Sequence, residues 1–122
     1  MNKKKVVLAG AGTMGASLAL LYALGGWETY LYNRSQKGLD RAKELIKINE
    51  SVLVRENIIS QENSDRIVSE IVLTTEKTCF ADADLVVESI VEDLDAKRAF
   101  WSEISGIVRS DAILATNTSG LH

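Results

Sequence analysis

Apolar residues along the chain change period repeatedly, from short β-branched runs to stripes at helical spacing, and that alternation predicts strands and helices in turn. VVLAG at 6–10 runs into a glycine turn and predicts a first strand. TMGASLALLYALG at 13–25 is apolar on nearly every side, which suits a helix covered on more than one face and stopped by Gly25. ETYLY at 28–32 predicts a second strand. Over 37–56, Leu39, Ala42, Leu45, Ile46, Val52 and Leu53 recur at the spacing of a long amphipathic helix. A second helical piece at 60–70 follows the turn-like Asn57, and IVLTT at 71–75 returns as a strand. DLVVESI at 84–90 reads as a strand buried on both faces. LDAKRAFWSEISGIV at 94–108 then places Leu94, Trp101, Ile104 and Val108 on one helical face, before a last strand, ILATNT, at 113–118.

Strands alternating with helices argue for a parallel sheet with crossover connections, an α/β architecture. With 122 residues, 46% of them hydrophobic, the chain buries one core of ordinary size, so a single domain over 1–122 is expected. Neither composition nor spacing shows a linker or an internal repeat. The net charge of −3, with both signs mixed along the chain, supplies no general attraction to nucleic acid or to acidic membranes. The one cysteine, Cys79, excludes an internal disulfide. No long apolar segment opens the chain, and a cytoplasmic location is expected. Cys79, Trp27 and Trp101 read as packing residues.

Candidate chemistry begins at Gly10, Gly12 and Gly15, spaced G-x-G-x-x-G. A predicted strand precedes this motif and a helix follows it, the context in which it binds a dinucleotide. Gly10 permits a tight turn, Gly12 offers no side chain to block a diphosphate, and Gly15 lets helix lie close to strand. Main-chain N–H groups over Ala11, Thr13, Met14 and Gly15, at the positive end of the helix, would hold the phosphates. The fold expected is therefore a Rossmann-type doubly wound parallel sheet, with the helical pair of 37–70 inserted. A glycine-rich turn without a ligand is the plainer alternative.

Roughly 20 residues beyond such a motif, an acid normally accepts hydrogen bonds from the adenosine ribose and repels a 2′-phosphate. This chain has Asn33 followed by Arg34. Asn33 can bond a ribose hydroxyl but carries no charge, while Arg34 offers a planar fork to a phosphate, with Ser35 and Lys37 as further donors. The cofactor is thus NAD or NADP, with Asn33 and Arg34 leaning toward NADP. Alternatively, Asn33 caps the next helix and Arg34 points into water.

Three blocks, VLAGAGTMGASLA, ADADLVVESIVEDLDAKRAFW and DAILATNTSGL, give the chain a resemblance to the N-terminal nucleotide-binding domain of the 3-hydroxyacyl-CoA dehydrogenases, which oxidise 3-hydroxyacyl-CoA thioesters in fatty-acid and butyrate metabolism. The resemblance spans essentially the whole chain, and it implies a nicotinamide dinucleotide and an acyl-CoA as partners, with a homodimer as the complete enzyme. It gives Gly10 to Gly15 the pyrophosphate, Asn33 the place of a ribose-binding aspartate, and Glu92 and Lys97 the nicotinamide side of the cofactor. Asn117 and Ser119 fall in the family's N-T-S-S turn, whose first serine contacts cofactor and substrate. The helical excursion resembles a protruding pair that contacts CoA in relatives. Each position has a plainer alternative: Glu92 and Lys97 as an exposed ion pair, Asn117 and Ser119 as turn formers.

Two departures stand out. Gly120 replaces the family's second serine, and His122 comes too soon after the turn to be the family's catalytic histidine. The expectation is that these residues form the cofactor-holding part of a longer enzyme and are inactive by themselves, with no catalytic base among them. The β-hydroxyacid dehydrogenases, which resemble the chain in G-x-G-x-M-G and N-R-S, are the alternative among NADP enzymes, and a non-catalytic nucleotide-binding module is the alternative outside them.

Overall fold

Lys5–Ala9 forms β1, and all five of its residues are buried. Val6 and Leu8 face one side of the sheet while Val7 and Ala9 face the other, each pair entering a separate core cluster. A strand covered on both faces is what a continuous apolar run encodes. These features come from a computed structural model that describes residues 3–90 and 94–116.

The chain continues through α1 (Thr13–Leu24), β2 (Glu28–Tyr32), α2 (Gln36–Arg55), α3 (Gln61–Ser69), β3 (Val72–Thr74), a short 3₁₀ turn (Lys77–Phe80), β4 (Leu85–Glu88), α4 (Leu94–Ile104) and β5 (Ile113–Thr116). The strands form one parallel sheet in the order β3-β2-β1-β4-β5. Strand order reverses direction at β1, so the connections after β1 and β4 open a crevice at the carboxyl edge.

On one face, Ala16 and Ala19 of α1 pack with Leu39, Ala42 and Ile46 of α2 over Val6, Leu8 and Leu31. The small α1 residues let that helix lie close to the sheet, and α2 covers its flank. The opposite face is aromatic: Phe80 stands edge-on to Tyr32 and to Phe100, with centroids 5.1 and 5.5 Å apart. Phe80 is fully buried because the 3₁₀ turn tucks it under the sheet, an element that periodicity did not predict since four residues are too few to show one.

Most expected elements lie within one or two residues of those observed. Two faces differ. In α4 the buried stripe is Lys97, Phe100 and Ile104, whereas Leu94 is 52% exposed. The aromatic cluster sets the helix rotation, drawing Phe100 inward and carrying Leu94 out. In α1, α2 covers only one side, which leaves Leu21 61% exposed despite the all-round apolar pattern. The helical pair is tied internally by the Ser64 hydroxyl, which donates to the Glu50 carboxylate. No helix among the described residues is long and apolar enough to cross a membrane.

Candidate functional site

At the end of β1 the backbone turns through Gly10 at φ +112°, a conformation that residues with a side chain rarely adopt. A Cβ there would lie 2.9 Å from the Ser89 carbonyl oxygen. One on Gly15 would overlap the Gly10 carbonyl, so α1 crosses the loop at a distance only glycine allows. Around Gly12 the situation is opposite, with nothing within 4 Å of the position a Cβ would take. Two glycines are required by the protein's own packing, and the third faces open space.

That space adjoins an uncapped helix end. Ser35 and Ser60 cap α2 and α3 through their hydroxyls, accepting from the Gly38 and Asn63 N–H groups. Gly12 precedes α1 without any side-chain cap, and the N–H groups of Thr13, Met14 and Gly15 find no acceptor among the described residues. Unsatisfied donors at the positive end of a helix suit an anion.

The carboxyl edge of the sheet opens here into a cleft of about 680 Å³ lined by Gly10, Gly12, Asn33, Arg34, Ser89 and Phe100 among others. A volume of that order suits a ligand of cofactor size. Ser89 Oγ is buried in its wall and has no hydrogen-bond partner among the described residues. A buried hydroxyl left unmatched costs free energy that a ligand or a water recovers.

Asn33 links the two loops of the cleft. Its Oδ1 accepts from the Ala11 N–H at 3.2 Å, and its Nδ2 donates to the carbonyl and the hydroxyl of Ser35 at 3.2 and 3.3 Å. The α2 cap is therefore Ser35 and not Asn33, which corrects the capping alternative. Arg34 follows as an exposed residue on the cleft wall, with Lys37 and Arg41 beyond it on α2.

At the far side, Glu88 is fully buried at the end of β4. It accepts from Thr116 Oγ1 at 2.6 Å, from the Ile90 N–H at 2.5 Å and from Lys97 Nζ, whose closest approach is 3.1 Å. Burial pushes this carboxyl up, but the bonds from Thr116, Lys97 and Ile90 outweigh it and hold the group below its ordinary range. Lys97 is only 7% exposed, so the alternative of an exposed ion pair does not hold. The partner it has here is Glu88; Glu92, Asn117 and Ser119 lie outside the described residues. Cys79 is buried and its thiol is pushed up to about 11 by that burial, consistent with a packing role.

The structure thus brings Gly10, Ala11, Gly12, Asn33 and Arg34 to one cleft, with Thr13, Met14 and Gly15 beside it at the helix start. Sequence reasoning missed Glu88, Ser89 and Arg41. An acid directly after Leu85, Val86 and Val87 was the available signal for Glu88, because a lone carboxylate in a buried strand needs partners.

Residues 5–122 match the family described as "3-hydroxyacyl-CoA dehydrogenase, NAD binding domain". A probable 3-hydroxyacyl-CoA dehydrogenase of Caenorhabditis elegans is 34% identical over 97% of this chain and 41% of its own length. A 3-hydroxybutyryl-CoA dehydrogenase of Clostridioides difficile is 32% identical over 96% of this chain and 42% of its own. The crystal structure of 3-hydroxybutyryl-CoA dehydrogenase from Escherichia coli K12 superposes with a TM-score of 0.89 at 30% identity, covering 99% of this chain and 26% of that one. The chain spans less than half the length of these proteins.

Proposed function

Because the chain belongs to the 3-hydroxyacyl-CoA dehydrogenase family through its NAD-binding domain, we propose that it holds the cofactor of an enzyme moving hydride between a nicotinamide dinucleotide and a 3-hydroxyacyl-CoA thioester of the 3-hydroxybutyryl type. The observation that carries this reading is the glycine loop beside an α1 end that lacks a cap. The N–H groups of Thr13, Met14 and Gly15 hold the diphosphate, and the open space at Gly12 admits it. Ser89 Oγ turns toward the same ligand and recovers its missing hydrogen bond.

When bound, the nicotinamide ring supplies the hydride acceptor or donor. The chain's own residues orient it. Lys97, locked against Glu88, fixes the start of α4 against β4, the side assigned to the nicotinamide with Glu92, Asn117 and Ser119. Asn33 holds the glycine loop to the β2–α2 turn and keeps one Oδ1 lone pair for a ribose hydroxyl. Without an acid at that position, a 2′-phosphate meets no repulsion, and the cofactor reading is NADP(H), or both nucleotides. Acyl-CoA contact is assigned to the α2–α3 pair, supported by exposed Ile48, Val52 and Ile58. A cytoplasmic, dimeric complete enzyme belongs to the same reading.

Hydride transfer also requires a base within reach of the substrate alcohol. No histidine is found among the described residues, and nucleotide binding without turnover of acetoacetyl-CoA is the behaviour expected of these residues by themselves. Calorimetric titration with NADH and NADPH tests the binding. Silence toward both at millimolar concentration, with the protein folded, overturns the reading.

A further inference from the structure

We infer that the adenosine end of the cleft contains a dedicated subsite for a phosphomonoester on the ribose, formed by Arg34, Lys37 and Arg41, so that the 2′-phosphate of NADP(H) is gripped and not simply tolerated. The inference rests on the dinucleotide reading of the cleft and adds Arg41, a residue that G-x-G-x-x-G spacing does not reach.

Arg34, Lys37 and Arg41 all line the cleft. Lys37 and Arg41 are four residues apart on α2, which stacks them on one helical face. None of the three has an ion-pair partner among the described residues. Neighbouring acids are engaged elsewhere: Asp40 accepts from Gln36 Nε2 at 3.0 Å, and Glu44 stands 4.0 Å from Lys47 Nζ. Glu103, the single carboxylate in the cleft lining, pairs with Lys77. Four cations against one carboxylate make this wall strongly positive in a chain of net charge −3. Such a local excess concentrates an anionic ligand at that wall.

The turn that presents these cations is held in one shape. Nδ2 of Asn33 donates to the carbonyl and hydroxyl of Ser35, whose hydroxyl in turn accepts from the Gly38 N–H at 3.1 Å. A Cβ on Gly38 would overlap the Asn33 amide, so the packing of this turn depends on glycine at that position. With its amide hydrogens both used, Asn33 offers the ribose one lone pair and no charge. Recognition at this end falls to the cations, and a phosphate with its several acceptor oxygens matches guanidinium forks better than a hydroxyl does.

Calorimetric titration of the protein with 5′-AMP, 2′,5′-ADP and 3′,5′-ADP, which all carry a single 5′-phosphate, reads the subsite directly. The expected result is 2′,5′-ADP binding at least about tenfold more tightly than 5′-AMP, with the advantage over 5′-AMP shrinking as salt is raised. R41A and K37A are each expected to remove most of that advantage and to leave 5′-AMP binding within about twofold, since 5′-AMP has no ribose phosphate for these cations to hold. Both side chains are exposed, and an unchanged Tm checks the fold of the variants. Equal binding of 5′-AMP and 2′,5′-ADP overturns the subsite while leaving the dinucleotide cleft standing. So does an R41A variant that weakens both ligands alike, or 3′,5′-ADP binding as tightly as the 2′-isomer. Failure of all three ligands to bind removes both the subsite and the reading on which it rests.

Discussion

Gly12 and Gly15 are alike in sequence context and opposite in physical role. A methyl group on Gly15 meets a backbone carbonyl that cannot swing aside, so G15A is expected to destabilise the protein by about 1–3 kcal/mol through overpacking. On Gly12 the same methyl meets open space, and the stability cost is limited to replacing a tolerable cap residue, about 1 kcal/mol or less. The proposed nucleotide site reverses the ranking: a methyl group on Gly12 would occupy the open space assigned to the diphosphate, so G12A is expected to lose binding at least tenfold, while folded G15A retains more. Thermal melts paired with titrations check both orders. A G12A protein that binds as well as the parent would remove the diphosphate from the loop.

The buried carboxylate of Glu88 joins three elements, because its partners come from the β4 backbone turn, α4 and β5. Removing it leaves Lys97 without its buried counter-charge, and E88Q is expected to cost about 3–5 kcal/mol at neutral pH. The pH dependence has a definite sign. Since the folded carboxyl titrates below its ordinary value of 4.5, its stabilisation is complete above that value and is lost as pH falls through the lower folded one. The stability gap between parent and E88Q should therefore close in acid below pH 4.5 and stay open above it. Denaturant midpoints across that range check this, and a gap independent of pH would mean the ionised carboxylate is not what binds the elements together.

The glycine loop and both flanking turns meet only in the assembled sheet, where they line one cleft, so a nucleotide bound there should stabilise the fold as a unit. At roughly 100 times its Kd a nucleotide adds about 2.7 kcal/mol, which for a chain of this size raises Tm on the order of 10 °C; a melt unchanged by NADPH would argue against a site shared between these loops. Much of this architecture was readable from residue order. The short β-branched runs, the stripe of Leu39, Ala42 and Ile46 and the glycine spacing are local signals, carried by neighbours within a few positions, and they determine which segments become strand, helix or turn. Partnerships across the sheet were not readable. Nine residues separate Lys97 from Glu88, twenty separate Phe80 from Phe100, and which of them touch depends on how α4 docks and rotates. Arg41 gives the same lesson: its helix is plain in the chain, yet its place on the cleft wall depends on where α2 lies against α1. Periodicity sets each element's apolar face, whereas the rotation that satisfies all faces at once is a property of the packed whole, and that rotation is what chose the neighbours of every charge.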